Sequence, residues 1–198
     1  MGTVPGDAPY GRRRFLQESV SSFVKTAQEF VKHRDAPREK EAVLARTDFL
    51  RPPGAVAEEE FLERCTICSD CAKACPHNSI TFDVRNGTPV IFPDLTPCYL
   101  CEDFPCIEAC ATEALLPVGN YNEVAMGIAR IVVRDCTAGQ GCNACVSQCP
   151  THALAMNFME LTVSILKEHC VGCGLCTQTC KTVNDRIAIK VIPARLLS

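Results

Sequence analysis

The sequence contains no tryptophan, and aromatic residues make up only 6% of its 198 residues. So few aromatic residues provide only a small apolar core, so the fold needs another source of stability. No run reaches the 18 apolar residues of a membrane-spanning helix, so we expect a protein that is not integral to a membrane. The net charge of −3 argues against a nucleic-acid partner. The chain also lacks a nucleophile–base set and a glycine-rich nucleotide loop, which argues against an enzyme.

Cysteine, in contrast, is abundant: the chain has 16, in four groups of four with short spacings. Disulfide frameworks rarely cluster cysteines in this way, so the pattern favours reduced thiols that bind metal. Metal binding would then supply part of the folding free energy, and we expect the metal-free chain to fold poorly.

The first group is Cys65, Cys68, Cys71 and Cys75, followed by Pro76. Its Cys-x2-Cys-x2-Cys-x3-Cys-Pro spacing is typical of [4Fe–4S] clusters in bacterial ferredoxins, where the fourth cysteine usually binds the other cluster of a pair. Zinc is a weaker alternative, because structural zinc sites take two separated Cys-x2-Cys pairs.

Three further groups repeat the pattern. They are Cys98, Cys101, Cys106 and Cys110; Cys136, Cys142, Cys145 and Cys149; and Cys170, Cys173, Cys176 and Cys180. The intervals between groups are 22, 25 and 20 residues, which indicates an internal repeat. Sixteen ligands predict four [4Fe–4S] clusters. Two pairings stay open: either neighbouring motifs pair, or the first pairs with the fourth around a nested inner pair.

Each interval is long enough for one β-hairpin, and β-branched residues predict short strands at 88–92, 130–133, 161–165 and 187–192. Gly172 and Gly174 would let the fourth loop approach its cluster closely. The predicted fold class is α+β, with two ferredoxin-like 2[4Fe–4S] units built from short helices and β-hairpins around the clusters.

We expect an N-terminal arm at 1–57 and a four-cluster body at 58–198, with the first two motifs in 58–118 and the last two in 119–198. Within the arm, apolar residues at helical spacing predict an amphipathic helix at 15–31. Two roles are open for this helix: it packs on its own domain, or it docks on a partner. Docking on a partner is the more specific hypothesis.

Several segments resemble the NapG/MauM ferredoxin-type proteins, which accompany periplasmic nitrate reductases and methylamine oxidation. They are RRRFL at 12–16, LRPPGA at 50–55, PCYLCEDFPC at 97–106, AMGIA at 125–129, QGC at 140–142, HCVGCG at 169–174 and AIKVIP at 188–193. The resemblance implies electron transfer between a quinol-oxidising membrane subunit and a terminal reductase.

The sequence therefore predicts an electron-transfer protein with no substrate chemistry of its own. One alternative is the iron–sulfur subunit of a molybdenum- or tungsten-containing oxidoreductase. An enzyme with an open cluster iron and a redox sensor are less favoured, because all four quartets are complete and no effector module is present. The 12–16 segment resembles a twin-arginine export start, but charged residues follow where an apolar region belongs. We expect a cytoplasmic location, with periplasmic export as the alternative.

Overall fold

The computed structural model of the protein describes residues 46–197. The segment Ala45–Ser198 forms one compact unit. The predicted helix at 15–31 and the export-like start at 12–16 lie outside the described residues.

Helices and strands in the described unit are all short. The helices are α1 (Glu58–Arg64), α2 (Asp70–Ala74), α3 (Pro105–Glu108), α4 (Ala144–Ser147) and α5 (Leu175–Val183). The strands are β1 (Thr81–Phe82), β2 (Pro89–Val90), β3 (Gly127–Ile131), β4 (Leu154–Asn157), β5 (Thr162–Ile165) and β6 (Ile189–Pro193). Between residues 46 and 197 no helix is long and apolar enough to cross a membrane. These small elements give the α+β character that the sequence predicts.

Helix α1 begins with three glutamates in its first turn and ends with Arg64 in its last, a charge order that suits the helix dipole. Its apolar anchor is Phe61, which is fully buried. The helix ends at Cys65, so it leads directly into the first cysteine motif.

Two of the three antiparallel sheets are hairpins between cysteine motifs. Strand β1 pairs with β2 between the first and second motifs, and β4 pairs with β5 between the third and fourth. The first hairpin turns at Gly87, whose φ of 72° suits glycine.

The prediction of a hairpin in every interval is wrong for the interval between the second and third motifs. Its strand, β3, pairs instead with β6 after the fourth motif, from Gly127 opposite Pro193 to Ile131 opposite Ile189. The alternation of buried and exposed residues in both strands explains this pairing, because it places two apolar rows on one face of the ribbon.

Residues 46–57 pack on the body rather than extending away from it. Leu50 is fully buried and exchanges backbone hydrogen bonds with Ile91, at 2.8 and 2.9 Å. The chain turns at Gly54, whose φ is 76°, and Ala55 bridges to Leu115. The body therefore begins before the boundary expected at residue 57, because this segment contributes buried apolar residues to the core.

The two halves of the body share one buried core, to which both contribute cysteines and aliphatic residues. Backbone hydrogen bonds connect the halves: the Cys98 amide donates to the Cys173 carbonyl at 2.9 Å, and the Met126 amide to the Val171 carbonyl at 3.0 Å.

Candidate metal centres

All four motifs share one feature of backbone conformation. The residue just before the second cysteine has a positive φ in each: Ile67 (58°), Leu100 (51°), Gly141 (90°) and Gly172 (75°). This conformation is costly for Ile and Leu and persists only where the surroundings enforce it. The same left-handed turn recurs in all four loops, with glycine in two of them and with Ile67 and Leu100 in the other two. This recurrence indicates that the four loops are built for the same kind of ligand.

The cysteines come together in four sets, which we call sites A to D. Site A comprises Cys65, Cys68, Cys71 and Cys110; site B, Cys75, Cys98, Cys101 and Cys106; site C, Cys136, Cys142, Cys145 and Cys180; and site D, Cys149, Cys170, Cys173 and Cys176. Each of sites B, C and D surrounds a small cavity that its four cysteines line. In the described part of the chain, no three His, Cys, Asp or Glu side chains converge closely enough to hold a single metal ion.

The fourth cysteine of every motif lies with the first three cysteines of its neighbour. Cys75 joins the second motif and Cys110 the first, while Cys149 joins the fourth motif and Cys180 the third. Of the two pairings that the sequence leaves open, this placement corresponds to pairing between neighbouring motifs.

Burial raises the pKa of several of these thiols. The pKa is about 11 for Cys71, where the thiols of Cys68, Cys110 and Cys65 add to the effect of burial, and about 12 for Cys98 and Cys106. A buried thiolate is unfavourable without a compensating cation. Four thiols around each cavity therefore fit an iron–sulfur cluster, whose irons supply that compensation.

Cys142 in site C departs from this trend, because its pKa is lowered. The causes are hydrogen bonds from the Ala144 amide first and then from the side chains of Thr137 and Asn184. These donors favour the thiolate form that a metal site requires.

Backbone amides donate to the sulfur of cysteines in sites B, C and D. The Ser79 amide lies 3.3 Å from Cys75 Sγ, the Ala153 amide 3.3 Å from Cys149 Sγ, and the Ala188 amide 3.2 Å from Cys180 Sγ. Such hydrogen bonds stabilise thiolates and set the reduction potential of a bound cluster.

Asn184 is a site residue that the sequence analysis missed. Its Nδ2 lies 3.6 Å from Cys180 Sγ, while its Oδ1 accepts a hydrogen bond from Thr137 Oγ1 at 2.7 Å. An asparagine just after a helix is usual for capping, so the sequence carries no signal for a role at the sulfur.

The two glycines of the fourth loop also lie close to chain segments outside the loop. A Cβ on Gly172 would overlap the backbone of Gly127, and one on Gly174 would overlap Pro93. Both glycines line the site D cavity, but what requires them is the close contact of the fourth loop with neighbouring chain segments.

Comparison with known proteins agrees with this geometry. The chain matches the 4Fe-4S dicluster domain family over residues 64–114 and 125–184. It is 35% identical over 164 residues to the methylamine utilization ferredoxin-type protein MauM of Paracoccus denitrificans (strain Pd 1222), covering 74% of this chain and 72% of the relative. It is 31% identical over 206 residues to the ferredoxin-type protein NapG of Escherichia coli (strain K12), covering 94% and 87%.

The chain belongs to the MauM/NapG family of ferredoxin-type proteins. The resemblance noted in the sequence is thereby confirmed, and so is the prediction of an iron–sulfur electron-transfer protein with [4Fe–4S] clusters. Similarity to a tetrathionate reductase subunit of Archaeoglobus fulgidus is more limited, at 34% identity over 103 residues, 49% of this chain and 48% of the relative. No solved structure matches the chain.

Proposed function

We propose that this ferredoxin-type protein relays electrons through four [4Fe–4S] clusters, one in each of sites A to D. The observation that carries the proposal is the grouping of the sixteen cysteines into four sets, each with three thiols from one motif and the fourth from its neighbour. A cubane cluster held by four thiolates, with the fourth reaching across from the paired motif, needs this arrangement.

The order of the sites follows from the contacts between their loops. Sites A and B share the first two motifs, and sites C and D share the last two. The hydrogen bond between the backbones of Cys98 and Cys173 supports an arrangement with site B beside site D. The relay then runs A, B, D, C, with A and C at its ends. Cys68 of site A is exposed, which suits electron exchange with a partner at that end.

A relay role without substrate chemistry is supported by the complete ligand sets. Each site offers four thiols, so no iron is left to bind a substrate. The protein supplies the position and the electrostatic environment of the clusters, and the clusters supply the redox chemistry.

For partners, we propose a quinol-oxidising membrane subunit as electron donor and a redox enzyme as acceptor, with the predicted helix at 15–31 as a contact with one of them. A role as a subunit of a molybdenum or tungsten oxidoreductase is not favoured, because the similarity to the tetrathionate reductase subunit spans only about half of the chain.

Metal analysis of protein purified without oxygen tests the proposal. Four clusters predict about 16 iron and 16 acid-labile sulfide per chain, and reduction with dithionite should bleach the visible absorption. About one zinc per cysteine quartet without sulfide would contradict the proposal.

A further inference from the structure

The ribbon of β3 and β6 separates two of the sites from solvent. On its inner face, Ala129 and Val191 line the cavity of site D, and Ile131 and Ile189 line the cavity of site C. Side chains on the outer face of the ribbon are therefore separated from these sites by the two strands alone.

The outer face of this ribbon carries positive charge. Arg130 and Lys190 lie directly opposite each other in the strand register, and both are exposed. Like charges in this position are destabilising. Among residues 46–197 neither of them forms a salt bridge that would offset this repulsion.

Two more arginines lie at the end of the ribbon next to site C. Arg134 and Arg186 approach the carboxylate of Asp135 at 3.6 and 3.5 Å, and their side chains are 86% and 81% exposed. Asp135 directly precedes Cys136 of site C. Four cations thus lie around this end of the protein, with the carboxylates of Asp135 and Asp185 next to them in the sequence.

The rest of the body has the opposite charge. Residues 58–118 contain 3 Lys and Arg against 11 Asp and Glu, a net charge of −8, while residues 119–198 contain 7 against 5, a net charge of +2. These counts leave out the clusters, and each oxidised cluster with its four thiolates would add about −2. The positive charge is therefore a local property of the surface side chains around sites C and D.

Apolar side chains lie beside the cations. Val183 lines the site C cavity and is also 54% exposed, so its side chain separates that site from solvent at this point. Val133, next to Arg134, is 75% exposed. An apolar centre surrounded by a polar or charged rim is the usual composition of a protein–protein interface.

We propose that this basic ribbon face (Arg130, Arg134, Arg186, Lys190, Val133 and Val183) is the docking surface for a redox protein with an acidic surface, which exchanges electrons with site C. The proposal rests on the relay function. In each encounter one partner loses one electron and the other gains it. Charge complementarity accelerates such encounters by 10- to 1,000-fold at low salt, and Val183 brings the partner close to site C.

A flavodoxin, which is an acidic one-electron acceptor, serves as the probe. The holoprotein is reduced, mixed with oxidised flavodoxin in a stopped-flow instrument, and compared with the variant Arg134→Gln/Lys190→Gln. We expect the variant to react about tenfold more slowly at 20 mM salt, and the difference to shrink to about twofold at 500 mM as the charges are screened. The variant Arg134→Lys/Lys190→Arg keeps the charge and should retain the rate.

The matched control is Arg64→Gln/Lys73→Gln, which removes two exposed cations from the other half of the body. It should leave the rate within about twofold, because it removes the same number of cations from outside the proposed docking surface. If Arg134→Gln/Lys190→Gln and Arg64→Gln/Lys73→Gln slow the reaction equally, the proposed docking surface is wrong. An unchanged rate in Arg134→Gln/Lys190→Gln would contradict it as well.

Calorimetry on the same proteins provides a second readout, the affinity for oxidised flavodoxin. This affinity should fall only in Arg134→Gln/Lys190→Gln. Metal analysis separates the two proposals. Protein without four clusters would contradict the relay, whereas a full set of clusters with a rate insensitive to the ribbon charges would contradict only the docking surface.

Discussion

The backbone amide of Cys98 donates a 2.9 Å hydrogen bond to the carbonyl oxygen of Cys173. One cysteine belongs to site B in the first half of the body and the other to site D in the second. The connection between the halves thus runs through the cysteine loops themselves, so any movement of one half against the other would displace two sites. A fixed separation of neighbouring centres is what a relay requires.

Gly172 holds the loop of Cys173 against strand β3, and this predicts a large effect of Gly172→Ala. The residue has a φ of 75°, and an added Cβ would overlap the backbone of Gly127. We expect a loss of roughly 2–4 kcal/mol, because strain and steric overlap add. The melting temperature of the anaerobic holoprotein should fall by about 5–15 °C.

Gly139→Ala is the matched control, since an added Cβ there would meet nothing within 4 Å and its φ is not positive. It should leave the melting temperature nearly unchanged. If both substitutions lower it equally, the contact between Gly172 and Gly127 is not what requires glycine.

Paired substitutions test the assignment of Cys75 to site B. The variant Cys75→Ala/Cys106→Ala removes two ligands of one site, so it should lose about 4 iron per chain. The variant Cys75→Ala/Cys71→Ala removes one ligand from each of two sites and should lose about 8. Both variants lack two cysteines, so each is the control for the other. The reverse order of iron loss would show that Cys75 belongs with its own motif.

The cysteine motifs and the strand segments at 161–165 and 187–192 could be predicted from the sequence, because each depends on local spacing or on local residue preference. The pairing of motifs could not, since the spacing around Cys75 is the same whichever neighbouring site it enters. The contact of β3 with β6 also escaped prediction, because Gly127 and Pro193 are 66 residues apart and an adjacent hairpin was equally compatible with their pattern.

Arg51 shows how the segment before the first motif is tied to the body. It is 7% exposed, pairs with Glu58 at 2.6 Å, and donates to Thr88 Oγ1 at 2.8 Å and to the Pro89 carbonyl at 3.0 Å. We expect Arg51→Ala to destabilise the protein by about 3–5 kcal/mol, because several buried polar groups lose their partner. Arg64→Ala, which breaks an exposed pair with Glu60, should cost about 1 kcal/mol or less.

Thermal unfolding of the holoprotein distinguishes these two arginine variants. A similar small shift for both would mean that the Arg51 network adds little to stability. Retention of all iron in Arg51→Ala at low temperature would locate the defect in the packing of residues 46–57 rather than in the sites.

Asn184 connects two cysteines of site C through side-chain hydrogen bonds. Its Nδ2 donates to Cys180 Sγ, it contributes to the lowered pKa of Cys142, and Thr137 Oγ1 fixes its orientation. Donors to cluster sulfur raise the reduction potential, because they stabilise the extra negative charge of the reduced state.

Replacing Asn184 should therefore lower one of the reduction potentials. We expect Asn184→Ala to shift it downward by about 60 mV, which is a tenfold change in a one-electron equilibrium. Asn184→Asp keeps the size of the side chain and the acceptor for Thr137 but replaces the donor by a negative charge, so its shift should be larger. A redox titration followed by electron paramagnetic resonance measures both, with the exposed Asn122→Ala as control. Equal shifts in the Ala and Asp variants would indicate a packing effect, since only an electrostatic role separates them.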